Sequence, residues 1–179
     1  MKILDFGCGN KKVSRAGAEV VGMDHDRGSA ADVFHDANVF PYPFSDNTFD
    51  EVVCSDVLEH VIDVPRVVKE LHRIAKPGAL FKIHSPHFSS VYAFLDPTHL
   101  HPFSILSFDC FCKNRKIIPH NITQDLFMIR TRKIIFPKLT RIFCWPGVKL
   151  ANRFPFRYEQ YLAYHMQAEN IYLELEVLK

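Results

Sequence analysis

The sequence predicts an α/β fold built on a doubly wound, mostly parallel sheet of seven strands with an antiparallel last strand. Short apolar runs alternate with helical or loop stretches along the chain. The final run alternates apolar with polar side chains, which indicates one buried and one wetter face. A length of 179 residues with 47% apolar side chains is enough for one domain with a core.

Apolar runs bounded by turn residues place the strands. The first begins at Ile3 and opens into a glycine turn that ends at Asn10, and the second ends on the acid Asp24. The next three strands are expected at residues 32–35, 49–55 and 80–84. A sixth strand is expected at residues 126–136, a short helix at 158–166 and the final strand at 170–179. We interpret the final strand as an antiparallel edge strand, because such alternation is typical of one.

One helix is expected between the fourth and fifth strands. Apolar side chains at positions 64, 67, 68, 71, 74 and 75 repeat with the spacing of one helix face. Asp63 suits the N-cap, Pro65 suits the first turn, and Gly78 follows the end of the helix.

The crossovers after the first two strands are short. Eight residues, 10–17, follow Gly9, and eight more, 25–32, follow Asp24. Since a parallel crossover usually needs about a dozen residues or more, we expect abbreviated first helices. The first should have one or two turns, and the second a single turn.

Charge and cysteine content narrow the class of protein. The net charge is +2, but residues 113–157 carry eleven Lys or Arg and one acid, Asp125. This asymmetry is typical of a solvated basic surface, or of a surface that meets an anionic substrate or a membrane. The five cysteines form no Cys-x-x-Cys pair, so we interpret them as reduced thiols. No run of 18 apolar residues occurs and the first strand begins at once, so we expect a cytoplasmic protein without a signal peptide.

The glycine turn and the acid after the second strand predict a nucleoside site. Gly7 and Gly9 let the backbone approach a ligand, and Asp24 can accept hydrogen bonds from both ribose hydroxyls. A dinucleotide fingerprint has a third glycine where this chain has Lys12. Six acids lie at the expected loop ends and favour a cationic ligand over a diphosphate: Asp5, Asp24, Asp26, Asp36, Asp56 and Glu59.

Four motifs resemble those of the class I S-adenosylmethionine-dependent methyltransferases, in particular the small type 11 family. They are Leu-Asp-Phe-Gly-Cys-Gly at residues 4–9, His-Asp-Ala at 35–37, Tyr-Pro-Phe-Ser-Asp-Asn-Thr-Phe-Asp at 42–50, and the segment 51–78, which ends in Lys-Pro-Gly. The match covers residues 2 to about 84. The resemblance implies a Rossmann-like fold, S-adenosylmethionine as cofactor, methyl transfer as activity and an antiparallel final strand.

The same resemblance implies a role for eight residues. Asp5, Gly7 and Gly9 would flank the methionine portion of the cofactor, and Ser55 would face it. Asp24 would hold the ribose, Asp36 would accept from the adenine amino group, and His25 and Ala37 would lie against the ring. Simpler roles stay open for two of them, because Asp5 can anchor the turn and Asp36 can cap a short helix.

These expectations divide the single domain, residues 1–179, into three parts. Residues 1–84 form the cofactor-binding half, 85–168 form a lid or substrate cap with a late strand, and 169–179 form the final edge strand. The stretch from 85 to 111 is rich in proline and aromatic residues and lacks periodicity, which is typical of a functional lid.

Five residues in and beside the lid are available for proton transfer: His84, His87, Asp96, His99 and His101. The candidate catalytic residues among them are His87, His99 and His101, any of which could act as general base. An alternative is that they only pack the lid. We expect no metal site, because their spacing matches no zinc motif.

The acceptor is expected to be a small molecule, or one linked to a lipid or a sugar, and the basic surface would suit an anionic one. Residues 136–145 interleave bases with large apolar side chains, which is typical of a membrane-interface segment, of a grip on a lipid-linked or phosphorylated acceptor, or of a simple cover for the core. We expect no nucleic-acid partner, because no RNA-binding motif is present. Two other functions stay open: an NAD-dependent oxidoreductase and a noncatalytic nucleoside-binding partner.

Overall fold

The computed structural model describes residues 1–114 and 125–179 and contains one seven-stranded sheet. The order of strands across the sheet is β3-β2-β1-β4-β5-β7-β6. The strands are β1 (Lys2–Phe6), β2 (Glu19–Asp24), β3 (Val33–Phe34), β4 (Phe49–Ser55), β5 (Ala75–Pro86), β6 (Phe127–Ile135) and β7 (Asn170–Val177). The first five strands are parallel, and β7 is antiparallel to both β5 and β6. The predicted fold class is confirmed.

The helices are short apart from the first. They are α1 (Val64–Ile74), α2 (Tyr92–Leu95), α3 (Lys138–Phe143), α4 (Trp145–Arg153) and α5 (Pro155–Tyr161), with 3₁₀ turns at Leu58–His60 and Ser107–Phe111. The helix expected at residues 158–166 therefore begins and ends earlier. No helix among the described residues is long and apolar enough to cross a membrane.

The predicted helix between β4 and β5 is confirmed as α1. The carboxylate of Asp63 accepts a hydrogen bond from the Arg66 backbone N–H at 3.0 Å, as an N-cap should. The apolar face of α1 is buried in the core that also contains Phe6, Val52 and Phe81.

The final strand is antiparallel as predicted, but its expected position at the edge of the sheet is wrong. β7 lies between β5 and β6, and β6 is the edge strand. The alternation in β7 arises because one face is buried and the other is half-buried. Periodicity therefore reports the faces of a strand and not the number of its neighbours.

The abbreviated helices expected in the first two crossovers, both within the described residues, are absent. Residues 10–18 and 25–32 form turns and bends without a helix. Two carboxylates hold these loops: Asp5 accepts from the Val13 N–H at 2.7 Å, and Asp32 accepts from the Gly22 N–H at 2.7 Å. Asp32 also pairs with Lys12 at 2.6 Å. Side-chain hydrogen bonds thus fix loops that are too short to form a packed helix.

Candidate functional site

The glycine turn after β1 requires glycine for steric reasons. Gly7 has φ of +70°, and a Cβ built there would lie 2.3 Å from Cγ2 of Val57, which is closer than any Cβ contact tolerates. The Gly7 N–H donates to the Met23 carbonyl at 2.8 Å and so ties the turn to the end of β2. Gly9, with φ of +52°, continues the turn. The tight turn leaves room beyond the strand ends for a ligand.

Asp24 is held at the end of β2 by the turn itself. Its Oδ2 accepts from the Gly9 N–H at 2.9 Å, and its Oδ1 accepts from the Asp26 N–H at 2.9 Å. The side chain is 10% exposed, while that of neighbouring His25 is 80% exposed, with Nδ1 at 3.3 Å from Asp24 Oδ1. The backbone therefore positions one carboxylate at the mouth of the turn before any ligand binds.

A cavity of about 620 Å³ opens beyond the ends of β1, β2 and β4. This volume is within the range of about 300–1,000 Å³ that is usual for small-molecule sites. The cavity brings together six of the eight predicted cofactor residues: Gly7, Gly9, Asp24, His25, Asp36 and Ala37.

Asp36 lines this cavity and also shapes its own turn. Its Oδ1 accepts from the Asn38 backbone N–H at 2.8 Å and from the Asn38 side-chain amide at 3.1 Å. The local role and the role toward a ligand are therefore compatible in this geometry.

The other two predicted cofactor residues, Asp5 and Ser55, do not line this cavity. Asp5 is buried beneath the turn, where it anchors the Val13 N–H, and burial raises its pKa above the usual value. Ser55 is paired in register with His84 and faces a separate cavity of about 170 Å³, beside Lys82 and Tyr172. The alternation of β4 turns Ser55 to this wall, and the next two residues, Asp56 and Val57, line the large cavity instead.

A second cavity, of about 340 Å³, adjoins the first. Asp56 lines both, and the second cavity also contains Glu59, His84, Tyr92 and His99. The His84 ring Nδ1 lies 3.1 Å from Asp56 Oδ1, and this hydrogen bond raises the pKa of His84 above its ordinary value.

His84 is among the residues that the sequence offers for proton transfer but not among the three candidates, and the sequence reasoning missed His60; both line the cavities. The signal that could have found them is position, because His84 lies near the carboxyl end of β5 and His60 lies in the turn that follows β4, and these strand ends meet at the same edge of the sheet.

The three candidate catalytic histidines are in different environments. His99 lines the second cavity. His87 is 0% exposed, and its ring bonds Ser89 Oγ at 2.8 Å and Glu159 Oε1 at 3.0 Å. The structure therefore does not bring His87 to either cavity, and its catalytic role stays a prediction.

His101 is also displaced from both cavities. Its Nε2 bonds the Val61 carbonyl at 2.9 Å, and its ring stacks on Phe103. A catalytic role for His101 is not supported by this geometry, because the nitrogen facing the protein is engaged by the backbone. The contacts of His87 and His101 fit the alternative expectation that these residues only pack the lid.

The basic and aromatic segment does not simply cover the core. α3 has no buried residue, and Leu139, Phe143 and Trp145 are all exposed. Five basic residues lie on α3–α5 and all are exposed: Lys138, Arg141, Lys149, Arg153 and Arg157. Two further basic residues of the predicted basic run, Arg115 and Lys116, lie outside the described residues.

The residues that build this geometry match a known family. Residues 4–83 match the family described as a methyltransferase domain. The resemblance to the class I methyltransferases is confirmed. This family uses S-adenosylmethionine as its methyl donor, so the predicted cofactor is confirmed with it.

Two curated methyltransferases illustrate the sequence similarity. A 2-phytyl-1,4-naphtoquinone methyltransferase of Nostoc sp. (strain PCC 7120) is 42% identical over 55 residues, which are 29% of this chain and 24% of that protein. A demethylmenaquinone methyltransferase of Symbiobacterium thermophilum is 31% identical over 100 residues, 44% of this chain and 40% of that protein. The chain thus spans about a quarter to two fifths of the length of these relatives.

Solved structures share the whole methyltransferase fold. A putative methyltransferase from Bacillus halodurans has a TM-score of 0.65 at 15% identity, covering 99% of this chain and 93% of that one. A SAM-dependent methyltransferase from Archaeoglobus fulgidus has a TM-score of 0.59 at 19% identity, covering 98% and 85%. The similarity of fold extends beyond the matched residues 4–83 to the lid and β7.

Proposed function

We propose that the chain binds S-adenosylmethionine in the first cavity and transfers its methyl group to an organic acceptor in the second. The observation that carries this proposal is that the two cavities meet at Asp56, beside the glycine turn of the methyltransferase motif. A donor in one cavity and an acceptor in the other would therefore have a shared boundary at which transfer can occur.

The residues present fit the donor. The backbone of Gly7 and Gly9 leaves space that a side chain would fill, and Asp24 offers a fixed carboxylate to the ribose hydroxyls. Asp36 and Asp56 add negative charge to the same cavity, which favours a ligand with a sulfonium and an ammonium group. When bound, this donor supplies a methyl group activated by its positive sulfur.

The chain's contribution to transfer is placement and proton handling. The cavity walls hold the acceptor in line with the methyl group, which is the main requirement of this chemistry. The bond from sulfur to methyl breaks, a bond from methyl to the acceptor forms, and the sulfur keeps the electron pair. The acceptor's proton passes to His84, which Asp56 orients at 3.1 Å.

A lipid-linked acceptor is the finer part of the proposal. The two relatives above are named as methyltransferases of a phytyl-naphthoquinone and of demethylmenaquinone, and another, from Gibberella zeae, is named as a sterol methyltransferase. The exposed apolar and basic side chains of α3–α5 suit contact with an anionic membrane in which such an acceptor is dissolved. We propose peripheral attachment at the cytoplasmic face of a membrane. Soluble small molecules and sugar-linked acceptors are the competing classes.

Ligand binding tests the donor. Saturation with S-adenosylhomocysteine at about 100 times its dissociation constant should stabilise the fold by about 2.7 kcal/mol, whereas NAD should have no effect. Asp24→Asn should lower the affinity for S-adenosylhomocysteine, because one hydrogen-bond acceptor for the ribose hydroxyls is lost. Asp26→Asn is the matched control, since Asp26 is exposed and outside the cavity.

The opposite pattern would favour the oxidoreductase. Stabilisation by NAD, or equal binding by the Asp24→Asn and Asp26→Asn variants, would contradict the proposed donor site. An NAD-dependent oxidoreductase would be expected to bind the pyrophosphate at the N-terminus of a helix that follows the glycine turn. In this chain no helix begins within residues 10–18.

Transfer of labelled methyl groups tests the acceptor. Lipid extracts, soluble extracts and sugar-linked fractions should be offered separately, and label should appear in the lipid extract. Binding of the donor without transfer to any fraction would favour the noncatalytic partner.

A further inference from the structure

Glu59, His60 and His99 form a side-chain cluster at the boundary between the two cavities. One candidate ligand atom from each residue lies within 4.8 Å of the others. His60 lines the first cavity, whereas Glu59 and His99 line the second. The imidazole rings are 4.6 Å apart between centroids. The cluster is thus placed where the donor and the acceptor would meet.

Glu59 is a buried carboxylate without a satisfied oxygen. The residue is 1% exposed, and neither Oε1 nor Oε2 has a hydrogen-bond partner of normal geometry among the described residues. A buried carboxylate without donors is costly, and a bound cation would offset that cost.

In both histidines the ring nitrogen Nδ1 is engaged in a hydrogen bond. The Thr98 hydroxyl donates its hydrogen to Asp96 Oδ1 at 2.6 Å. In its contact of 2.9 Å with His60 Nδ1 the hydroxyl oxygen must therefore be the acceptor, so His60 carries its proton on Nδ1. The Nδ1–H of His99 donates to the Ala93 carbonyl at 3.2 Å. These bonds leave Nε2 of each ring with a free lone pair, and no described residue donates to it. A hydrogen bond from the second ring nitrogen is what fixes the tautomer of a ligating histidine.

We propose that Glu59, His60 and His99 bind one divalent transition-metal ion, with Zn²⁺ as the first choice. Two imidazoles and one carboxylate are a recognised ligand set that keeps coordination positions open. With bonds of about 2.0–2.1 Å, tetrahedral ligands lie about 3.3 Å apart. The present separations, all within 4.8 Å, therefore exceed this spacing by no more than about 1.5 Å.

The position of the ion suggests its use, which rests on the proposed function. An oxygen atom of the acceptor can occupy an open position on the metal. The charge of the ion lowers the pKa of a bound hydroxyl and fixes the oxygen opposite the donor. The acceptor class narrows accordingly to molecules that present a hydroxyl oxygen, such as phenols and enols.

Direct metal binding is the test. The folded chain is treated with a chelator and titrated with Zn²⁺, and bound metal is measured by mass spectrometry and calorimetry. One ion per chain is expected, and Co²⁺ should compete and give the visible absorption of a nitrogen- and oxygen-ligated ion. His99→Gln and Glu59→Gln should each abolish this site, while His165→Gln, an exposed histidine outside the cluster, should bind as the original chain does.

A milder variant separates ligation from folding. Thr98→Val keeps the volume of the side chain but removes the partner of His60 Nδ1, and we expect metal affinity to fall about 10- to 100-fold. If Glu59→Gln does not fold, His99→Gln and Thr98→Val decide the question.

Two results would overturn the metal site. One is that the folded chain takes up no ion, and the other is that His99→Gln and Thr98→Val bind Zn²⁺ as tightly as the original chain. S-adenosylhomocysteine binding is measured on the same samples. Nucleoside binding without metal binding would overturn this inference alone, and metal binding without nucleoside binding would overturn the proposed donor site alone.

Discussion

The two halves of the chain differ in where their large apolar side chains lie. Among the described residues, four exposed large apolar side chains are in residues 1–84, and fifteen are in residues 91–164. The first half builds most of the first cavity, the proposed donor site, from strands packed on a core. The second half supplies most of the lining of the second cavity, the proposed acceptor site, and leaves many large apolar side chains exposed to water. Since exposed apolar patches mark interaction sites, the second half is the part suited to meet an apolar partner.

This difference separates stability from recognition. Phe81 is 1% exposed and packs on Phe127 across the sheet, with ring centroids 5.4 Å apart. Phe143, at the end of α3, is 78% exposed. The same residue type thus contributes to the core in one half and to a surface in the other.

Replacing these two phenylalanines should give the largest contrast. Phe81→Ala should lower the free energy of unfolding by about 3–5 kcal/mol, because it leaves a cavity in the core. Phe143→Ala should change it by less than about 0.5 kcal/mol. Denaturant unfolding measures both. Similar losses in the two variants would show that α3 supports the fold as strongly as the core does, and the contrast between the halves would fail.

The first half could be predicted well because its signals are local. The apolar run of β4 was placed at residues 49–55, as observed, and Asp63 caps α1 as its position indicated. Gly7 and Asp24 were identified because a turn and a strand end restrict which residues fit. Ser55 was misplaced, since a one-residue step along a strand reverses the face of the side chain.

The second half was less predictable because tertiary contacts decide it. Nothing local distinguishes His99, on a cavity wall, from His87, which is buried against Glu159. The cluster of Glu59 and His60 with His99 joins residues about forty positions apart, so spacing could not reveal it. The edge position of β6 also depends on the order of the sheet rather than on either strand's own pattern.

The backbone of the first half should be similarly intolerant of change at Gly7. Gly7→Ala should lower the free energy of unfolding by about 1–3 kcal/mol because of the positive φ, and by more because the new Cβ would collide with Val57. It should also weaken the binding of S-adenosylhomocysteine. Gly17→Ala is a matched control, because Gly17 has φ of +74° but a Cβ at this position would meet nothing within 4 Å. Equal effects of the two variants would mean that strain alone, and not close approach at the turn, makes Gly7 necessary.

The surface of the second half should bind anionic vesicles. Removing Phe143 or Trp145 by alanine substitution should lower vesicle partitioning about tenfold or more, since a large apolar side chain is worth about 1.5–3 kcal/mol when removed from water. Arg141→Gln should weaken the free energy of vesicle binding by about 1 kcal/mol and should make the binding less dependent on salt concentration.

Phe34→Ala is the control for the vesicle experiment. Phe34 is an exposed apolar residue of the first half, at 47% exposure, so its loss should leave partitioning unchanged. If Phe34→Ala weakened vesicle binding as much as Phe143→Ala, the two halves would not differ as recognition surfaces. Vesicle sedimentation with and without anionic lipid gives all four values.

The smallest expected effect is a pH dependence in the first half. Burial lowers the pKa of His72 below its usual 6.5, with nearby Lys179 acting in the same direction and the Leu178 carbonyl, at 2.6 Å, opposing both. The native ring therefore binds fewer protons than the unfolded one. Its contribution to stability is present above the unfolded pKa and is lost as pH falls through 6.5 toward the lower folded pKa.

His72→Gln isolates this contribution. The difference in unfolding free energy between the original chain and the variant, measured between about pH 5 and 8, should favour the original chain most at the upper end. A difference that is constant with pH would show that His72 titrates alike in both states. The burial of His72, on α1 beside the end of the chain, sets this sensitivity, which is therefore a property of the packed half.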